Sequence, residues 1–259
     1  MDSLTLNKLH LTLFEILTEI DRICRDNDIK YFLDSGSALG AVRHGGFIPW
    51  DDDIDIGMLR KDYEHFLKIA QNSFDKKYFL QTRDTDDKYN KLHAKVRKND
   101  TIFLESIYDN KKMHCGVFVD IFPFDKVPYK FSKFFIWLNQ LYQRMFVYKY
   151  VEDGEPRNRI KLWLSGLIVG SYPNRRFDFL CKLFNNTKAS GLISYNYFFR
   201  EHFVFDSKDF SKTIEISFEG KRFYIMNGYD NYLKRMYGDY MQLPPKDKQI
   251  VHELKELKL

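Results

Sequence analysis

Apolar side chains recur at Leu6, Leu9, Leu13, Leu17, Ile20 and Cys24, a spacing of three and four that predicts one amphipathic helix over residues 4–27. A short β-type run, 29–33, follows and is closed by the turn formers Asp34, Ser35 and Gly36. Residues 37–43 are small and apolar and read as a short helix. Residues 54–58 alternate as a strand and 61–72 return to a helical period, with further strands expected at 78–82, 91–97 and 117–122.

From residue 131 the pattern changes. Residues 131–151, 159–172 and 175–184 read as helices rich in Phe, Tyr and Trp, with basic side chains outnumbering acidic ones between 127 and 188. This stretch is expected to be an inserted helical subdomain over 131–196, between a core over 1–130 and a C-terminal part over 197–259. In 213–226 alternation on both sides of Glu219-Gly220 predicts a hairpin. A last helix near 229–237 ends at Gly238, and Pro244-Pro245 bars any continuation.

Composition narrows the class. Hydrophobic residues make up 44% and charged residues 30% of the 259, which suits a globular enzyme and excludes long disorder. The net charge of +5 favours an acidic substrate or an anionic surface, but its basic residues form no recognition element, so no nucleic-acid partner is expected. Cys24, Cys115 and Cys181 are widely spaced without a CxxC pair, which argues for reduced thiols in a cytoplasmic protein. The first ten residues lack the pattern of a signal peptide, and the most apolar stretch, 162–170, is far shorter than a spanning helix requires.

The chemistry concentrates in 34–57. Asp51, Asp52, Asp53 and Asp55 crowd into five residues, and such like charge is costly unless it is solvated or neutralised by a cation. Alternation puts Asp53 and Asp55 on the same side of the strand and Ile54 and Ile56 on the other. Hard oxygen donors at this spacing suit Mg²⁺ or Mn²⁺. A calcium loop would share the first three ligand positions, yet Ile56 stands where glycine is needed and Asp62 where the bidentate glutamate belongs. An acidic surface turn is the plain alternative.

The neighbours add to the metal reading. Gly36 and Ser37 stand between a strand and a helix, where backbone N–H groups and a hydroxyl can grip a phosphate. Arg43 and His44 either add donors beside them or are surface residues. Lys95 and Arg97 share one strand face, as a phosphate clamp or as a solvated face. Tyr31, Trp50 and Phe122 could stack on a base or face a quaternary ammonium group, and are equally suited to a core.

Three stretches carry a resemblance. GSALGAVRHGGFIPWDDDIDIGM (36–58) resembles the signature of the LicD family, which includes the fukutin-type proteins. GVFVDIFPFD (116–125) is similar to that family's middle motif and YDNYLKRMYGDYMQLPPKDK (229–248) to its closing one. The resemblance implies an α+β fold, a nucleotidyltransferase-like mixed β-sheet core flanked by helices, here with the aromatic-rich insertion. It implies a third carboxylate on a neighbouring strand, matched by Asp120 with Asp125 as fallback. It also places Lys246 and His252 where they could close the site. The expected catalytic and metal-holding set is then Asp53, Asp55 and Asp120, with Gly36, Ser37, Arg43, His44, Lys95, Arg97 and Lys246 binding substrate.

The activity this resemblance implies is transfer of phosphocholine from a CDP-activated donor, CDP-choline, to a hydroxyl of a cell-surface glycan or its lipid-linked precursor. Glycerol, ribitol or ethanolamine phosphate could be the group moved instead. True nucleotidyl transfer to a small acceptor and a silent, membrane-peripheral binding protein are further alternatives. The basic, aromatic middle either lies against the inner face of an anionic membrane or forms a second small core with its cations in water.

Overall fold

The computed structural model describes residues 2–89, 91–105, 113–150, 158–169, 173–194, 204–245, 249 and 253–259. They divide into two compact units, Met1–Pro123 with Lys208–Leu259, and Phe124–Ser207. No described helix is long and apolar enough to cross a membrane.

The first unit opens with α1 (Ser3–Asp26), whose N-cap Asp2 accepts from the Thr5 N–H at 2.8 Å. Its buried stripe runs through Leu9, Leu13, Ile16, Leu17 and Ile20, as the spacing predicts. The strand expected over 29–33 is shorter, because β1 comprises only Phe32–Leu33. Asp28 takes a left-handed φ of 52°, and the N–H groups of Asp28 and Ile29 donate to the carbonyls of Arg25 and Cys24. That bonding closes the C-terminus of α1 and takes the N–H groups of Asp28 and Ile29 out of any strand ladder.

After β1 come α2 (Ser35–His44), β2 (Asp55–Leu59), α3 (Arg60–Ser73), β3 (Tyr78–Gln81), β4 (Ala94–Lys98), β5 (Ile102–Glu105) and β6 (Phe118–Val127). The mixed sheet has the order β1-β2-β6-β4-β3, flanked by helices. Phe32 and Leu33 pair with Gly57 and Ile56, and Lys95 stands opposite Asp120 between β4 and β6. Helix α1 packs on β4 and α3 on β2 and β3, so Ile54, Ile56, Val96, Val119 and Ile121 are fully buried.

Strand β6 is longer than expected. It pairs with β4 through Phe118–Ile121, then with β7 (Gly191–Ile193) through Asp125–Val127. Pro123 falls between the β4 and β7 ladders, and the first unit ends there. The second unit holds the end of β6, α4 (Ser132–Tyr150), α5 (Arg159–Val169), α6 (Pro173–Lys182), β7 and β8 (Phe205–Asp206). It therefore takes in short strands on either side of the helices expected over 131–196.

The chain returns to the first unit with β9 (Thr213–Phe218), β10 (Lys221–Met226), α7 (Tyr229–Tyr237) and β11 (Leu254–Lys258). Glu219 and Gly220 have φ of 50° and 76°, the left-handed pair of a type I′ hairpin turn. Helix α7 packs on α2, and β9 does likewise. The pairing of β5 with β11 joins segments some 150 residues apart, and neither strand was expected from local pattern.

Candidate active site

The turn from β1 into α2 builds the floor. Asp34 caps α2, accepting from the Ser35 N–H at 2.9 Å and from the Tyr232 hydroxyl on α7. The Asp34 N–H donates to the Asp55 carbonyl and the Asp55 N–H donates to Ser37 Oγ, both at 2.9 Å. Both backbone groups of Asp55 are thus pinned by the turn, which fixes where its side chain leaves the strand. Gly36 approaches the acidic loop closely: an added Cβ would lie 2.8 Å from Asp51 Oδ2, so that carboxylate would have to shift.

The loop carrying the other acids is braced from two directions. Helix α2 ends at left-handed Gly45, whose carbonyl accepts from the Glu219 N–H at 2.9 Å. Glu219 Oε1 accepts from the Phe47 N–H at 3.0 Å, so the hairpin tip grips the loop. From α1, His10 Nε2 lies 2.7 Å from the Asp51 carbonyl, with its ring stacked on Phe47 at 3.9 Å.

Among the described residues, oxygens of Asp51, Asp52 and Asp53 lie within 4.8 Å of one another. This set shares Asp53 with the expected trio of Asp53, Asp55 and Asp120. Asp55 is tied to it by charge: burial, then Asp53, Asp120, Asp34 and Asp51, push its carboxyl well above the ordinary range. Carboxylates crowded in this way, with no thiol among them, form a donor set that fits a hard divalent cation.

Asp120 is environmentally different. Lys95 Nζ lies 2.8 Å from its Oδ2 and 2.7 Å from its Oδ1, and His93 Nε2 lies 3.1 Å from Oδ1. Burial alone would raise the Asp120 carboxyl, but the Lys95 charge and then His93 hold it below the usual carboxylate range. Burial pulls the Lys95 ammonium and the His93 imidazole down, against the pull of Asp120. Two tyrosines complete the surroundings. Tyr89 is raised by burial and by Asp120. Tyr237 is 41% exposed as a residue, while burial and then Asp34, Asp55, Asp51 and Asp53 push its hydroxyl up.

Other expected residues have protein partners. Arg97 shares the face of Lys95 as alternation predicts, yet it is buried, donating to Gln81 Oε1 and the Gly116 carbonyl at 2.5 Å. Arg43 donates to the carbonyls of Tyr240 and Gln242 at 2.9 and 3.3 Å and to His44 Nε2 at 3.0 Å, holding the end of α2 to the segment after α7. Asp125, the fallback acid, lies in the second unit and accepts from Asn185 Nδ2 at 2.6 Å. Tyr31 is core, its hydroxyl donating to Asp21 at 2.8 Å. Lys246 and His252 lie outside the described residues.

Sequence reasoning gave His93, Tyr232 and Tyr237 no role, and Asp34 only that of a turn former. His93 had a signal, since it stands two before Lys95 and alternation aligns both toward one face. The tyrosines had none beyond lying in the third quoted motif.

A sequence model of the family described as LicD/FKTN/FKRP, nucleotidyltransferase domain, matches residues 28–166. The lipopolysaccharide cholinephosphotransferase LicD of Haemophilus influenzae is 30% identical over 266 aligned positions, covering 99% of this chain and 98% of that protein. The human ribitol 5-phosphate transferase FKRP is 53% identical over 34 residues, 13% of this chain and 7% of its own length. An uncharacterized protein of Rickettsia typhi is 45% identical over 62 residues, covering 24% of this chain and 20% of that protein.

Proposed function

The chain belongs to the LicD/FKTN/FKRP family and is a transferase of phosphorus-containing groups, and from that premise we propose that it moves phosphocholine from CDP-choline to a hydroxyl of a cell-surface glycan or its lipid-linked precursor. The observation that carries the reading is the crowding of acids around Asp53 and Asp55 beside a buried Lys95–Asp120 pair. Asp53, Asp55 and Asp120 would hold Mg²⁺ or Mn²⁺, with Asp51 and Asp52 adjoining. A bound divalent ion supplies the positive charge that stabilises phosphate oxygens and a departing nucleotide.

The chain's own groups take the remaining parts. The first turn of α2 offers the N–H groups of Gly36 and Ser37, which helix geometry leaves without intrahelical partners, to a phosphate oxygen. Asp120 paired to Lys95 is a weak proton acceptor. A donor phosphate competes for the Lys95 ammonium, and as that pairing loosens Asp120 regains the basicity to take the acceptor hydroxyl's proton. Lys95 thereby couples arrival of the phosphate to readiness of the base. Arg97, held by Gln81 and Gly116, supports the strand face rather than the phosphate.

The match to a ribitol 5-phosphate transferase supports a second reading, in which ribitol phosphate is the group moved. Incubation with CDP-choline, CDP-ribitol and CTP in turn, with Mg²⁺ and a glycan acceptor, separates these readings. CMP from CDP-choline with a choline-phosphate mass added to the acceptor is the expected result. Pyrophosphate from CTP, with CMP from neither CDP-alcohol, overturns phosphate transfer in favour of nucleotidyl transfer.

A further inference from the structure

Helix α5 in the second unit presents its apolar side outward. Ser165 and Val169 are its buried residues, facing α4: Ser165 Oγ lies 3.6 Å from Met145 Sδ, and the Tyr142 hydroxyl donates to the Val169 carbonyl at 3.4 Å. Ile160, Trp163, Leu164, Leu167 and Ile168 fall at i, i+3, i+4, i+7 and i+8, which makes them one stripe. All five are exposed, from 38% at Ile168 to 71% at Ile160. A soluble surface helix buries such a stripe, and an outward one about 12 Å long marks an interaction surface.

Charge says which partner. Residues 124–207 hold thirteen lysines and arginines against seven aspartates and glutamates, a net +6, so the rest of the chain carries −1 of the total +5. The positive excess therefore lies wholly in the unit that bears the stripe. Arg159 and Lys161 stand exposed in the first turn of α5, and Lys161 Nζ sits 4.2 Å over the Tyr148 ring. A second copy of the chain would bring two like-charged units together, whereas an anionic bilayer matches both the charge and the apolar stripe.

We infer that α5 docks this unit on the surface of an anionic lipid bilayer, with Trp163 and Leu167 entering the boundary between headgroups and acyl chains and Arg159 and Lys161 meeting lipid phosphates. At eleven residues α5 lies on the bilayer and does not span it. The inference concerns a surface of the second unit and is independent of which phosphate the first unit transfers.

Full-length protein is sedimented with vesicles of phosphatidylcholine alone and of phosphatidylcholine mixed with phosphatidylglycerol. The partition coefficient onto the anionic vesicles is expected to exceed that onto neutral ones by at least about tenfold and to fall with added salt, with a blue shift of Trp emission. Trp163→Glu with Leu167→Glu, both exposed in the free protein, should keep the melting temperature and lose at least about tenfold in partitioning together with the blue shift. Should that variant fold poorly, Arg159→Glu with Lys161→Glu is the second probe, expected to lose about tenfold on anionic vesicles. Wild-type binding to neither vesicle overturns the inference, as does undiminished binding by the folded variants. A wild-type dimer that Trp163→Glu with Leu167→Glu converts to a monomer, without vesicle binding, replaces the bilayer with a second copy.

Discussion

Replacing Asp53 with Asn keeps the side chain's shape and removes one charge from a set whose oxygens lie within 4.8 Å of one another. At that separation and an effective dielectric constant near 20, two ionised carboxylates repel by roughly 3.5 kcal/mol. Asp53 takes part in two such pairs, with Asp51 and Asp52, and is the foremost charge acting on Asp55. Asp51 and Asp53 are only half-buried, so water and salt screen most of this repulsion. The net relief in ion-free protein should be about 1–2 kcal/mol, a rise in melting temperature of about 2–8 °C for a chain of this size. Scanning calorimetry in chelator reads that gain. On adding MgCl₂ the wild type should climb by mass action and the variant should climb less. Turnover should fall at least about a hundredfold, on the scale of lost charge stabilisation. The reasoning is refuted if the Asp53→Asn protein melts below wild type in chelator, if Mg²⁺ shifts both equally, or if turnover is undiminished.

Lys95→Met leaves the Asp120 carboxylate buried without its ion pair, at a cost of about 3–5 kcal/mol, and adding Asp120→Asn should recover a large part. Urea melts of both single variants and the double variant measure the coupling, and purely additive losses would show that the pair does not act as a unit. Glu15 is held down to about 2 from 4.5 by hydrogen bonds from Lys77 and Lys98. A lowered folded pKa contributes stability above the unfolded value and loses it as pH falls through the window from 4.5 to about 2. With its side chain 37% exposed, screening reduces the contribution to about 1 kcal/mol. Glu15→Gln should therefore be less stable than wild type near neutral pH and match it at the acid end of a pH series of melts, and a gap that stays constant with pH would contradict this origin.

Local pattern carried much of this protein. The period of α1, the strand at β2, the I′ turn at Glu219-Gly220 and the end of α7 at Gly238 are all decided within a few residues, where backbone geometry and side-chain spacing act directly. Four carboxylates in five residues announced the acidic site for the same reason. Tertiary structure alone decided the rest. It brought Tyr232 to Asp34 across 198 positions, paired β5 with β11, and gave Arg43 and Arg97 protein acceptors in Tyr240, Gln242, Gln81 and Gly116. It gave Asp120 and Asp55 opposite environments, one beside Lys95 and one among acids, though both were expected to hold the metal. The stripe on α5 makes the point most simply. Spacing shows that Ile160, Trp163 and Leu167 share a face, but whether that face is covered depends on what packs against it, and periodicity holds no information about neighbours distant in the chain.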